Sequence, residues 1–181
     1  MYKSIIRPIL FKFNPETAHQ FTLKSLKVLG KIPFVRSIIR LIYKREHPAL
    51  AKEVFGIKFP NPVGLAGGLD KNGECYNELS DFGFGFVEIG SLTVKPQPGN
   101  PKPRLFRVIK DRAIINRMGI NNKGIANAIA NLNKEHPEVI IAGNIAPNSA
   151  SQGEQVAEDY KAAFSLLYDF VDMFVVNISC P

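Results

Sequence analysis

The feature that most constrains this chain is a series of short apolar runs. Each closes on glycine, serine or asparagine and is separated from the next by a helix-like segment. The runs are "NPVGLAGG" (61–68), "FGFVEIGS" (84–91), "EVIIAGNIA" (138–146) and "VDMFVVNISC" (171–180). Between them lie "NGECYNELSDFG" (72–83), "NKGIANAIANLNKEH" (122–136) and "GEQVAEDYKAAFSLLYDF" (153–170). Ile125, Ile129 and Leu132 recur at helical spacing in the second, and Val156, Tyr160, Phe164 and Leu167 in the third. Strands that are apolar throughout, rather than alternating, are buried on both faces. Helices between them supply the crossovers that parallel strands require. The expected fold is α/β with a parallel sheet covered on both sides. The connection from Leu92 to Asn121 is long and carries Pro96, Pro98, Pro101 and Pro103. Its "RLFRVIKDRAIINRMG" stretch predicts a small hairpin or excursion, and loops of that length in compact domains are usually functional.

Charge divides the chain in two. Residues 1–47 carry ten Lys and Arg against two acids, whereas the rest of the chain is close to neutral. This first part reads as short amphipathic helices. In "NPETAHQFTLKSLKVLG", Asn14 is a candidate N-cap, Pro15 suits the first helical position, and Gly30 can end the helix. "SIIRPILFKF" and "PFVRSIIRLIY" flank it, rich in Ile, Leu and Phe with interleaved Arg and Lys. No run approaches the roughly 18 apolar residues that cross a bilayer. A helical pair lying on an anionic membrane surface accounts for both the apolar face and the cationic rim. A nucleic-acid arm accounts for the charge but not for so many large aliphatics, and no nucleic-acid partner is expected. A helical appendage packed on the core, with solvated lysines, is the remaining reading. The expected division is therefore 1–47, a basic helical membrane and access domain, and 48–181, the α/β domain.

In parallel α/β folds ligands bind at the carboxyl ends of the strands. Here those ends are Ala66-Gly67-Gly68, Gly90-Ser91, Gly143-Asn144 and Asn177 to Cys180. Glycine lets backbone approach a flat ligand. Asparagine offers a donor and an acceptor without charge, which suits the edge of a heterocycle. Lys71 supplies a cation just after the first strand, and the loop "INRMGINN" adds Asn116, Asn121 and Asn122. Each asparagine alone is equally a turn former; their clustering at strand ends and on one loop favours a site. Other chemistries are excluded. There is no phosphate-binding G-x-x-x-x-G-K-[ST] loop, and "GFGFVE" lacks the third glycine of a dinucleotide fingerprint. His19, His47 and His136 have no metal-ligand spacing, Cys75 reads as an inert core residue within a helix, and two distant cysteines make no disulfide framework. No secretory signal is visible.

Taken together, "NPETAHQFTLKSL", "FPNPVGLAGGLDKNGE", "GFGFVEIGSLTVKPQPGNPKPRLFR", "INRMGINNKG" and "NISCP" resemble the dihydroorotate dehydrogenases of the membrane-associated, quinone-linked class. The resemblance runs nearly from end to end. It implies an eight-stranded β/α (TIM) barrel preceded by an N-terminal helical pair, of which this chain is the first half. Four strands cannot close such a barrel, so the chain is expected to be a fragment, inactive alone, of a longer protein. The resemblance implies FMN as cofactor, oxidation of dihydroorotate to orotate in pyrimidine synthesis, a quinone as acceptor, and a peripheral location on the cytoplasmic face of the cell membrane.

Carried over by motif, Ala66, Gly67, Gly68, Lys71, Ser91, Asn144 and Asn177 match cofactor contacts. Lys71, Asn116, Arg117, Met118, Gly119, Ile120 and Asn177 match substrate contacts, and Cys180 falls at the position of the catalytic base. The quinone-linked class usually carries serine at that position, and cysteine belongs to the soluble classes. Ile120 stands where phenylalanine is common. Cys180 therefore keeps a soluble-class acceptor, fumarate or NAD, open as an alternative, while the basic helical segment favours quinone. A different flavin barrel, such as a tRNA-dihydrouridine synthase, and a non-catalytic membrane-binding module are the rival readings.

Overall fold

The computed structural model describes residues 2–132 and 139–178. A π-helical turn (Tyr2–Ile6) leads into three helices: α1 (Arg7–Phe11), α2 (Pro15–Leu29) and α3 (Pro33–Tyr43). After a 3₁₀ turn at Pro48–Leu50 the chain makes a hairpin of β1 (Lys52–Val54) and β2 (Ile57–Phe59). Then come β3 (Gly64–Leu65), α4 (Tyr76–Ser80), β4 (Phe86–Leu92), a second hairpin of β5 (Leu105–Val108) and β6 (Ala113–Asn116), α5 (Ile125–Asn131), β7 (Ile140–Ile145), α6 (Glu154–Leu167) and β8 (Met173–Val176). The sheet has the order β3-β4-β7-β8, and every neighbouring pair is parallel. This is part of an α/β TIM barrel, as expected.

The expected elements all form, with ends moved by local chemistry. The run at 61–68 contracts to two residues. Asn61 folds back to accept from Val63 N at 3.0 Å, Pro62 has no N–H to give, and Gly68 turns at φ +98°. The helix expected from residue 72 starts only at Tyr76. The chain before it is wrapped around the buried Asp70 carboxylate, which accepts from Glu74 N (2.8 Å) and Cys75 N (2.7 Å). Cys75 thus sits at the cap of α4 rather than inside it. It is buried, its Sγ donating to Leu23 O, and burial, reinforced by the Asp70 and Glu78 charges, pushes its thiol up to about 12. It is the inert core residue expected. The long connection does carry the expected hairpin. The β1–β2 hairpin was not anticipated; its turn is Phe55-Gly56, both at positive φ, the requirement of a tight two-residue connection. Of the expected elements at 122–136, 138–146 and 171–180, residues 133–138, His136 among them, and Ser179, Cys180 and Pro181 lie outside the described residues.

The core lies between the sheet and its helices. Val87, Ile89 and Leu92 of β4, Ile141 and Ile145 of β7, Ile125 of α5 and Leu167 of α6 are all essentially inaccessible. Burying a side chain of this size is worth about 1.5–3 kcal/mol each, so β4 and β7 anchor the sheet.

The N-terminal helices are attached to this unit by polar pegs as well as by apolar contact. From α2, Glu16 forms a two-pronged ion pair with Arg104, at 2.7 and 3.2 Å, with both side chains buried. His19 Nε2 donates to Leu69 O at 2.8 Å. From α3, Arg36 and Arg40, one turn apart, both reach the carboxylate of Asp81, which is only 1% exposed. The opposite stripe of α3, Phe34, Ile38, Leu41 and Ile42, is exposed.

The Arg104 guanidinium, more than Lys102 and against the effect of burial, holds the Glu16 carboxyl below its ordinary range. A carboxyl whose pKa is lower folded than unfolded stabilises fully above its unfolded value, near 4.5, and loses that contribution as pH falls through the folded value. Removing one partner of a buried pair leaves the other unpaired. Glu16→Gln in the full-length protein is therefore expected to lose on the order of 2 kcal/mol at neutral pH. The deficit should shrink as pH drops below the carboxylate range, as read by denaturant unfolding across pH.

Candidate active site

The parallel register brings the carboxyl ends of β3, β4, β7 and β8 side by side, and two side-chain groups assemble there. In the first, Asn177, just past β8, donates from Nδ2 to Ser91 Oγ near the end of β4 at 2.7 Å. Asn177 is itself held by its backbone, its N donating to Ile145 O (3.0 Å) and its O accepting from Tyr160 of α6 (2.6 Å). In the second, Asn144 of β7 donates to Glu88 Oε1 of β4 at 2.5 Å. Gly67 lies against this pair: a Cβ there would stand 2.6 Å from Glu88 Oε1 and 3.4 Å from Asn144 Nδ2. Any side chain at this position would have to push aside the end of the Glu88 side chain.

Asn144 is 8% exposed, and its Oδ1 is buried with no hydrogen-bond partner among the described residues. A buried acceptor left unpaired costs about 1–3 kcal/mol, which makes this carboxamide a candidate for pairing with a group beyond the described residues. Gly68 N donates to Gly90 O at 2.9 Å, which ties the β3 turn to the end of β4.

Lys71, with Met118 and Asn121, lines a separate cleft of about 320 Å³ beneath α2. Asn121 Oδ1 is likewise buried without a partner among the described residues. Asn116, at the end of β6, is exposed and accepts from Met118 N at 2.8 Å, closing an Asx turn. The loop then turns through Gly119 (φ +67°) to the buried Ile120. Ala66 is exposed beside Gly67. Arg117 donates twice to Pro103 O, at 2.9 and 3.3 Å, and stacks on Phe106 at 5.7 Å.

Asn122 has a different task from its neighbours. It is buried and bonded to Thr93 Oγ1, Ile120 O and Gly124 N, so it fastens the loop and has no free edge for a ligand. Glu88 was not singled out by the sequence reading. Its signal was a lone carboxylate inside the otherwise apolar "FVEIGS" run. Cys180 lies outside the described residues.

Comparison with known proteins now gives this arrangement its context. The family model for dihydroorotate dehydrogenase matches residues 49–181. The chain is 52% identical, over its full length, to a dihydroorotate dehydrogenase (quinone) of Christiangramia forsetii, of which it covers 53%. It is 41% identical to the protein of the same description from Methylococcus capsulatus, covering 52% of it. The crystal structure of DHODH from Eimeria tenella in complex with ferulenol superposes with a TM-score of 0.78 at 35% identity, over 92% of this chain and 44% of that one. The chain belongs to the dihydroorotate dehydrogenase family, and its similarity is to the quinone class. It spans about half the length of the curated relatives it matches. Membership implies a flavin cofactor.

A methyl group at position 67 would collide with the Glu88 carboxylate that orients Asn144. Gly67→Ala is therefore expected to destabilise the full-length protein by about 1 kcal/mol through overpacking. Glu88→Ala should relieve part of that cost, so the two substitutions should be non-additive in a double-mutant unfolding cycle.

Proposed function

We propose that the protein to which this chain belongs is a quinone-linked dihydroorotate dehydrogenase, which oxidises dihydroorotate to orotate in pyrimidine synthesis with FMN as cofactor. The observation that carries this reading is the buried Oδ1 of Asn144, unpaired among the described residues, on a side chain that lies against Gly67 at the strand ends where Ser91 and Asn177 also meet. A flat heterocycle bearing an N–H would supply the donor that Asn144 Oδ1 accepts. Ala66, Gly67, Gly68, Lys71, Ser91, Asn144 and Asn177 would hold it. When bound, the flavin supplies a two-electron acceptor for the hydride that leaves C6 of the substrate.

The chain's own residues have the remaining tasks. Lys71 balances the charge of the substrate carboxylate. Asn116 and Asn177 read the polar edge of its ring, with the backbone of Arg117 to Ile120 closing over it. Cys180 takes the proton from C5. A free thiol with pKa near 8.5 is a few per cent thiolate at pH 7 and is a better base at neutrality than a hydroxyl. In the full-length protein, Cys180→Ala should slow substrate-driven flavin reduction by about 10²–10⁴-fold, the usual worth of a general base. Cys180→Ser should keep activity and move the rising limb of the pH–rate profile upward. Undiminished bleaching in the alanine variant at every pH would send the proton by another route.

Residues 1–47 are the membrane and quinone-access domain in this reading, lying peripherally on the cytoplasmic face. Support comes from the exposed apolar stripe of α3 together with Phe21 and Val28 of α2 and Ile9 and Phe13 before it. Among the described residues no helix is long and apolar enough to cross a membrane. The barrel-facing side of these helices carries buried polar pegs, so deleting the segment would disturb the barrel too, and a point change on the outer stripe is the cleaner probe. Leu41, 78% exposed, is such a site. Leu41→Glu should weaken binding to anionic vesicles and lower quinone turnover, leave dye-coupled dihydroorotate oxidation within about twofold, and unfold normally. Vesicle binding of the parent should fall with salt, since surface attraction is screened over about 8–10 Å. Unaltered vesicle binding and quinone turnover would make the stripe a packing surface instead.

A further inference from the structure

Arg104 is a hub that joins elements far apart in sequence. It is 6% exposed, and Glu16, its α2 partner, is 5% exposed. Besides the two bonds to Glu16, its Nη1 donates to Pro98 O at 2.6 Å and to Asn100 O at 2.9 Å. Its own carbonyl accepts from Arg117 N at 2.9 Å. Asn100, held in this way, grips the next stretch of loop. Its N donates to Met118 O (2.9 Å) and its Nδ2 to Arg117 O (2.9 Å). Gly99 and Gly119, both at positive φ, let the two strands of loop approach. Within this cluster, the carbonyls of Pro98 and Asn100 and the Glu16 carboxylate all accept from one rigid, planar donor.

We propose that Arg104, clamped by Glu16 of α2, is the positioning residue for the substrate-binding segment Asn116–Ile120, acting through the Pro98–Asn100 loop. This rests on the assignment of that segment to the substrate, made above. A buried arginine that only secured α2 would need bonds to α2 alone. This one divides its donors between the helix and the loop, and the loop passes the constraint to Arg117 and Met118. Arginine is suited to the task because its fork fixes several acceptors at once, which a lysine point charge does not. A substrate loop held less firmly binds its ligand more weakly, while the reacting atoms, once bound, meet the same base and cofactor.

The test uses the full-length, flavin-loaded protein and two variants, Arg104→Lys and the neutral pair Glu16→Gln/Arg104→Gln. Orotate affinity is read from the flavin absorbance shift, dihydroorotate KM and kcat from dye-coupled turnover, and Tm from melting. Both variants are expected to raise orotate Kd and dihydroorotate KM by about tenfold, with kcat within threefold. The neutral pair, free of an unpaired buried charge, should recover Tm relative to Arg104→Lys without recovering Kd. Recovery of Kd in step with Tm, or Kd unchanged in both, would overturn the proposal and leave Arg104 a helix-docking residue. If either variant fails to fold, Asn100→Ala decides, since it cuts only the exposed bond to Arg117 O. A rise in Kd supports the loop route, and no change refutes it. A parent protein that neither binds orotate nor oxidises dihydroorotate would instead refute the function proposed above.

Discussion

Everything in this chain hangs on the ladder between β4 and β7, which runs from the Phe86–Ile140 pair to Leu92–Ile145 with one irregularity between Ile89 and Leu92. Parallel strands are joined by crossover helices, and these pack on the sheet and bury its side chains. The inaccessible Val87, Ile89, Ile141 and Ile145, which share one face, show the helix-covered side of the sheet. Fixing that register places Glu88 against Asn144 and, with the β7–β8 ladder, Ser91 against Asn177. Polar groups at the rim are thus located by apolar packing beneath them. A slip between β4 and β7 would exchange the faces and dissolve both pairs at once.

The N-terminal helices illustrate a division of labour between surfaces. One side of α3 carries Arg36 and Arg40, committed to Asp81, while the other carries Phe34, Ile38 and Leu41 in the open. The excess positive charge read from composition is therefore not one population. Part of it is consumed in ion pairs with the barrel, and only the remainder can face an anionic partner. Helix α2 lies between, joined to the strand-end region through Leu69 and Arg104. The helices are separate in composition from the α/β unit yet continuous with it in packing.

Much of this architecture was legible in the chain because its signals are local. Apolar runs of strand length, helical periodicity, the Asn14-Pro15 cap and the hairpin in the proline-rich connection each show in a window of a few residues. Asn14 does cap α2, accepting from Glu16 N at 2.9 Å. The misses were of another kind. The Phe55-Gly56 turn depends on a non-glycine residue at positive φ, which composition does not advertise. Helix α4 begins late because Asp70 captures two amides that a helical pattern would have assigned to the next turn. Asn122 carries the same side chain as Asn144, but only the coordinates distinguish one whose bonds are complete from one with an acceptor to spare. Glu16 and Arg104 are 88 residues apart, and a charge pair at that separation has no sequence signature at all.

The strand order β3-β4-β7-β8 follows the order of the chain, and the hairpin β5–β6 pairs only with itself. Among the described residues, each strand of the sheet pairs only with its neighbours in this order. During synthesis each new strand can therefore dock on the one that left the ribosome before it, and the sheet grows from one edge. What must wait is the closing of long loops, such as the bonds from Arg104 back to Glu16 of α2 and from Arg107 back to Leu10 and Phe13, for which the helical segment is already present when the arginines emerge. Vectorial assembly of this kind covers the inner edge of each strand soon after it emerges, an advantage for a fold whose strands are largely apolar.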